Sequence, residues 1–182
     1  MKKKMLLHTC CAPCASGVVP QLTAEYDITL YYYNPNINTL EEYEKRLDAL
    51  KSYISQYNTE FNTDIKLIAE EYDYAQFATK VIGREQDAEG GERCGICFAL
   101  RLDKTFAYAK GNGYEIVAST LSVSPHKDYQ KINDIGSALQ NKYNIEYLPS
   151  NFKKNDGYLN SIRNSKKYNL YRQTYCGCML GA

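Results

Sequence analysis

Short runs of apolar residues alternate along the chain with longer segments in which apolar residues recur every three or four positions. The short runs are typical of buried strands, and the longer period is typical of amphipathic helices. The pattern predicts strands at residues 5–8, 28–33, 65–68, 116–121 and 145–148. It predicts helices at residues 13–24, 40–57, 75–82, 94–110, 128–143 and 157–168.

The clearest helical pattern follows the second predicted strand. Its apolar stripe consists of Leu40, Tyr43, Leu47, Leu50, Ile54 and Tyr57. Thr39 and Glu42 form a capping box in front of this stripe, a pair that satisfies free backbone N–H groups at a helix start. We therefore expect a long helix with one buried face, and we expect Tyr43 and Tyr57 to belong to the core.

Regular alternation of strands and helices predicts a fold class. Parallel strands joined by right-handed helical crossovers give a three-layer α/β sandwich. We expect a mainly parallel, Rossmann-like sheet of five strands in the order 3-2-1-4-5, within a single domain spanning residues 1–182. In such a sheet, ligands bind beyond the carboxyl ends of the strands, where the loops after strands one and four would face each other.

Composition narrows the class of protein. Of 182 residues, 44% are apolar and 24% are charged, which excludes a wholly disordered, collagen-like or coiled-coil chain. No apolar stretch is long enough for a membrane helix, and the run Met5-Leu6-Leu7 is too short for a signal peptide. We therefore expect a cytoplasmic protein with reduced thiols and no membrane partner.

The net charge of +1 conceals an uneven distribution. Residues 151–182 carry six basic side chains and one acidic side chain, Asp156, whereas the preceding residues carry an excess of acidic ones. The sequence predicts a basic helical C-terminal segment there, carrying Cys176 and Cys178. Such a segment suits phosphate contacts, although a solvated basic helix without a ligand explains the charge equally well.

Seven cysteines fall into three tight groups. They are Cys10, Cys11 and Cys14, then Cys94 and Cys97, then Cys176 and Cys178. This clustering favours a metal or redox site over a disulfide framework. Two groups together formally satisfy a four-thiolate zinc site, through Cys11, Cys14, Cys94 and Cys97, but the same number of sulfurs also suits an iron–sulfur cluster.

The third group is chemically different. A ring closed by Cys176-Gly177-Cys178 is short and readily reduced, which suits electron transfer, although a pair of accessory metal thiolates is the alternative. His8 shares strand parity with Cys10, but a core histidine bonded to the backbone is the commoner outcome. Because no glycine-rich nucleotide loop follows the first strand, ATP- or NAD-dependent chemistry is disfavoured.

Four motifs, in order, carry a resemblance to a known family. They are Leu6–Cys14 (LLHTCCAPC), Tyr32–Ile37 (YYNPNI), Glu89–Cys97 (EGGERCGIC) and Leu170–Cys178 (LYRQTYCGC). Together they resemble the QueH-type epoxyqueuosine reductases over essentially the whole chain. The resemblance implies a cytoplasmic enzyme of the last step of queuosine biosynthesis, the two-electron reduction of epoxyqueuosine to queuosine in tRNA.

The resemblance also implies a cofactor and its residues. By motif position, a [4Fe-4S] cluster would be bound by Cys10, Cys11, Cys94 and Cys97, and Cys176 with Cys178 would form a redox-active pair. Cys14 either binds a second metal ion, iron, that polarises the epoxide oxygen, or packs.

The expected partners are tRNA and an unidentified electron donor. We expect Tyr171, Arg172 and the basic C-terminal segment to hold the RNA. The alternative function is a zinc-thiolate RNA-binding module without redox activity. A thiol-disulfide oxidoreductase that uses Cys176 and Cys178 on protein substrates is a third interpretation, but it leaves Cys10, Cys11, Cys94 and Cys97 unexplained.

Overall fold

A computed structural model describes residues 1–180 and shows a five-stranded parallel sheet with helices on both faces. The strands are β1 (Lys3–His8), β2 (Tyr26–Tyr32), β3 (Lys66–Ala69), β4 (Ile116–Ser119) and β5 (Glu146–Tyr147). The helices are α1 (Ala12–Leu22), α2 (Leu40–Phe61), α3 (Ala75–Ala78), α4 (Glu92–Gly111), α5 (Tyr129–Tyr143) and α6 (Gly157–Lys167). The strand order β3-β2-β1-β4-β5 confirms the predicted topology.

Two apolar layers enclose the sheet, and the alternation of side chains along β1 decides which residues enter each layer. Met5 and Leu7 pack with α1 and α2, whereas Leu6 packs on the other face with Phe106 and Ala109 of α4. A strand with both faces covered has consecutive apolar residues, as Met5-Leu6-Leu7 shows in the buried part of β1. Tyr43 and Tyr57 are buried in the first layer, as predicted.

Three predicted elements are clearly shorter than expected, among them the strand predicted at 145–148, which is only Glu146–Tyr147. The strand predicted at 116–121 ends at Ser119, because the Ser119 hydroxyl accepts a hydrogen bond from the N–H of Leu121 and starts a 3-10 turn, Thr120–Val123. The helix predicted at 75–82 is the single turn α3. At the end of β4, the hydrogen bond to the Ser119 side chain thus overrides the apolar pattern of a short segment.

The C-terminal segment packs back onto α1. α6 and α1 approach so closely that a Cβ on Gly17 would lie 2.4 Å from the Gly157 carbonyl oxygen. The Asn164 amide donates to the Ser16 carbonyl at 2.7 Å. This contact directs the irregular chain after α6 across the carboxyl ends of the strands. The last two residues of the predicted segment 151–182 lie outside the described residues.

Candidate active site

The turn after β1 gathers three thiols. Cys11 is the N-cap of α1, and its sulfur accepts a hydrogen bond from the Cys14 N–H at 3.4 Å. The Cys10 and Cys11 sulfurs are 3.8 Å apart, and the sulfurs of Cys10, Cys11 and Cys14 all lie within 4.8 Å of one another. In a straight strand, the side chains of neighbouring residues point to opposite faces. The turn instead brings the sulfurs of Cys10 and Cys11 to the same side. These distances suit a site that could hold a metal ion.

The other two cysteine groups face the same space. A cavity of about 470 Å³ lies beyond the carboxyl ends of β1 and β4. Its lining includes Cys10, Cys14, Cys94, Cys97, Cys176 and Cys178. Cys11 is not part of this lining and has 1% of its surface exposed. The topology therefore brings sulfurs from three distant segments to one cavity.

The second group stands at the start of α4. Gly90 donates its N–H to the Cys94 sulfur at 3.2 Å, and Arg101 donates to the Cys97 sulfur at 3.8 Å. Cys94 and Cys97 are one helical turn apart, so both sulfurs reach the cavity from one side of the helix. Residues 83–91, which precede α4, form turns.

Arg46 of α2 holds the third group in place. Its guanidinium donates to the carbonyl oxygens of Tyr175 at 3.1 Å and Cys176 at 3.0 Å, and pairs with the Glu42 carboxylate at 2.7 Å. The Asn38 N–H adds a bond of 3.0 Å to the Gly177 carbonyl. Cys176 and Cys178 are free thiols in this arrangement.

Sequence reasoning missed Arg46. The only signal was local, an acidic and a basic residue four positions apart on the predicted helix. Glu42 was interpreted as part of a capping box. Thr39 does cap the helix by accepting from the Glu42 N–H, but the Glu42 carboxylate bonds to Arg46 and to the Tyr171 hydroxyl.

Burial and hydrogen bonding shift the pKa values of the thiols in opposite directions. Hydrogen bonds from Cys11 and Cys14 lower the pKa of Cys10. Burial is the main cause that raises the pKa of Cys11 to about 12 and that of Cys97 to about 11. Without a bound cation, these two remain thiols at neutral pH. A metal would have to displace their protons, because thiolate is the ligating form.

Positive charge predominates around the sulfurs. The cavity lining includes five cationic side chains, Arg46, Arg93, Arg101, Lys127 and Arg172. Within residues 1–180, Glu89 is the only carboxylate in that lining. This imbalance favours an anionic occupant, such as a thiolate-bound metal group or a phosphate.

His8 has a structural role. Its ring is fully buried, with Nδ1 3.1 Å from the Ser119 hydroxyl and Nε2 3.1 Å from the Tyr33 carbonyl oxygen. Burial lowers the pKa of His8 to about 3, so the ring is neutral at physiological pH. The expectation of a core histidine bonded to the backbone is confirmed.

These features define a class of protein: a parallel α/β fold with a thiol-rich, positively charged cavity at the switch point of its sheet, suited to metal or redox chemistry. Within residues 1–180, none of the helices has the length and apolar character needed to cross a membrane. The family model described as Epoxyqueuosine reductase QueH matches residues 5–182, and the chain belongs to this family.

Curated relatives extend over the full chain. A protein named Epoxyqueuosine reductase QueH from Streptococcus pyogenes serotype M1 is 40% identical over 182 residues, which cover 100% of this chain and 71% of the relative. Its namesake from Staphylococcus epidermidis is 40% identical over 183 residues, covering 100% and 77%. The one from Thermotoga maritima is 32% identical over 183 residues, covering 96% and 88%.

Proposed function

We propose that the protein is an epoxyqueuosine reductase that converts epoxyqueuosine in tRNA to queuosine, the last step of queuosine biosynthesis in the cytoplasm. The reaction breaks both C–O bonds of the epoxide, forms a C=C bond and releases the oxygen as water. It consumes two electrons and two protons. The observation that carries the proposal is the convergence of six thiols on one cavity at the switch point of the sheet.

The donor set fits a [4Fe-4S] cluster, for which we propose Cys10, Cys11, Cys94 and Cys97 as ligands. Four cysteine thiolates are the usual ligands of such a cluster, and it supplies electrons one at a time at low potential. The cavity holds thiols on two sides and cationic side chains around them, which suits the negative charge of a thiolate-bound cluster.

Cys14 is the remaining member of the sulfur triad after β1. Its position within 4.8 Å of the Cys10 and Cys11 sulfurs supports a role as ligand to a second metal ion, iron. A metal at this place would act as a Lewis acid toward the epoxide oxygen. The role of Cys14 is separable from that of Cys94 by substitution.

Cys176 and Cys178 are proposed as an electron relay. Oxidation of this dithiol to a disulfide releases two electrons and two protons, which equals the demand of the reaction. Both thiols line the cavity, and the backbone between them is held by Arg46. An unidentified electron donor then returns the pair to the dithiol form.

A rim of four cations supports RNA binding beside the cavity. Lys127, Lys131, Lys153 and Arg172 form no ion pair within the part of the chain that the structure describes. The Lys153 ammonium lies 3.4 Å from the Lys127 carbonyl oxygen. We refer to these four residues as the basic rim.

Aromatic rings accompany the basic rim. Lys153 lies 5.2 Å from the centre of the Tyr129 ring, and Arg172 lies 5.7 Å from that of Tyr158. Cations interleaved with aromatic rings bind single-stranded nucleic acid, in which bases are free to stack. Tyr171 is less available than the sequence suggested, because its hydroxyl bonds to the Glu42 carboxylate.

The first experiment is anaerobic purification followed by iron and sulfide analysis, with mass analysis of tRNA before and after incubation with a chemical reductant. We expect a brown protein and loss of one oxygen from epoxyqueuosine. Cys94→Ser should lose the cluster, whereas Cys14→Ser should retain labile sulfide. A colourless protein with one zinc and no sulfide would instead favour a zinc-thiolate RNA-binding module.

The second experiment measures binding of an anticodon stem-loop RNA. The double variant Lys153→Met/Arg172→Met should weaken binding at least tenfold and flatten its salt dependence, because released counterions set that slope. Lys80→Met is the control, because it removes an exposed charge that lies just after α3 in the chain. Equal affinity of the double variant and the control would exclude the basic rim.

A further inference from the structure

Arg101 of α4 is a buried cation that pairs with no carboxylate of residues 1–180. Its side chain is among the largest fully buried ones, with 2% of the residue exposed. One terminal nitrogen donates to the Asn34 side-chain oxygen at 2.6 Å, and the other donates to the Cys97 sulfur at 3.8 Å. Its Nε has no hydrogen-bond partner.

Burial makes this arrangement costly unless an anion is present. A guanidinium stays protonated in proteins, and a buried charge costs several kcal/mol unless it is paired. Within residues 1–180, no carboxylate oxygen lies within 4.0 Å of Arg101. The nearest groups able to carry negative charge are sulfurs, with Cys97 in contact and Cys10 and Cys176 on the same cavity.

Asn34 fixes the direction of the guanidinium. Its amide nitrogen donates to the Thr9 carbonyl oxygen at 3.0 Å, so its oxygen is left to accept from Arg101. Thr9 follows β1 and Asn34 follows β2, and both are fully or almost fully buried. Asn34 therefore anchors the Arg101 guanidinium to the carboxyl end of the sheet and keeps it directed at the cysteines.

We infer that Arg101 is the fixed countercation of the thiolate-bound redox group and raises its reduction potential, with Asn34 as a positioning residue. The inference rests on the proposed function. Reduction adds one electron and no proton to the group, so its negative charge grows. A cation held nearby in a region of low dielectric stabilises the reduced form more than the oxidised form.

The test is a redox titration of the cluster-loaded protein, followed by EPR and with dithionite as reductant. Arg101→Met should lower the equilibrium constant for one-electron reduction of the cluster at least tenfold. This corresponds to a midpoint potential about 59 mV more negative. Arg101→Lys keeps the charge, so its midpoint potential should lie at least halfway back from the Arg101→Met value to the wild-type value. Lys104→Met is the control, since Lys104 lies on the same helix but is 42% exposed and faces Glu70.

A second variant decides the question if Arg101→Met loses the cluster. Asn34→Asp is nearly isosteric and places a carboxylate against the guanidinium, so it should also make the potential more negative. Unchanged potentials in Arg101→Met and Asn34→Asp, or an equal shift in Lys104→Met, would overturn this inference and leave the proposed function standing. Wild-type protein without iron and sulfide would overturn the cluster assignment together with this inference.

Discussion

Replacing Arg46 with methionine should release the segment that carries Cys176 and Cys178. Arg46 has 2% of its surface exposed and makes two charged-donor hydrogen bonds to the carbonyls of Tyr175 and Cys176. Such bonds contribute about 1.5–3 kcal/mol each. Their joint loss, about 3–6 kcal/mol, corresponds to roughly a 10²- to 10⁴-fold larger open population, at ~1.4 kcal/mol for each factor of ten.

Hydrogen exchange gives a direct assay of this opening. The Asn38 N–H donates to the Gly177 carbonyl, so its exchange rate reports whether the segment is seated. We expect about 10²- to 10⁴-fold faster exchange at Asn38 in Arg46→Met, in proportion to the open population. Turnover should fall while iron content stays at the wild-type level, because Arg46 contacts none of the proposed ligands.

Lys45→Met is the matched control for the Arg46 experiment. Lys45 precedes Arg46 on α2, is exposed, and its ammonium lies 4.5 Å from the centre of the Tyr171 ring. Exchange at Asn38 should be unchanged in this variant. If Arg46→Met also left Asn38 exchange unchanged, the guanidinium would not be what holds the segment, and the reasoning would be refuted.

Three further changes test the packing around the site. Gly136→Ala places a Cβ 2.3 Å from the Tyr147 ring and should cost about 1–3 kcal/mol in urea unfolding; wild-type stability would contradict the close packing. Gly177→Ala imposes a side chain at φ +115° and 3.0 Å from Ile37, so turnover should fall at constant iron content, and full turnover would show that the turn tolerates other conformations. Thr39→Ala removes the cap of α2 and should lower the free energy of unfolding by about 1 kcal/mol, whereas an unchanged value would mean that the cap is replaced by water.

The relation between sequence and structure differs from one part of the molecule to another. The apolar periodicity along α2 predicted a helix that the structure confirms, and the strand order expected for a Rossmann-like sheet is the observed one. Both are short-range or topological consequences of the chain. The strand predicted at 116–121 was too long, because a single serine hydroxyl decides where it ends.

For the cysteines too, part of the site was predictable from the sequence and part depends on the fold. Their spacing in the sequence identified three groups and indicated a metal or redox site. The placement of Cys14 beside Cys10 and Cys11 depends on the turn in which Cys11 caps α1, a geometry that spacing does not encode. The assignment of Cys10, Cys11, Cys94 and Cys97 as ligands stays a prediction that metal analysis of the variants will test.

The layers of the fold and the chemical type of the site follow from residue patterns along the chain. Which charges face the sulfurs depends on how distant elements pack together. Arg46 contacts Cys176 across 130 positions of the chain, and Arg101 contacts Asn34 across 67. No local pattern records such pairs, since the physical reason for each contact is the docking of one packed layer on another.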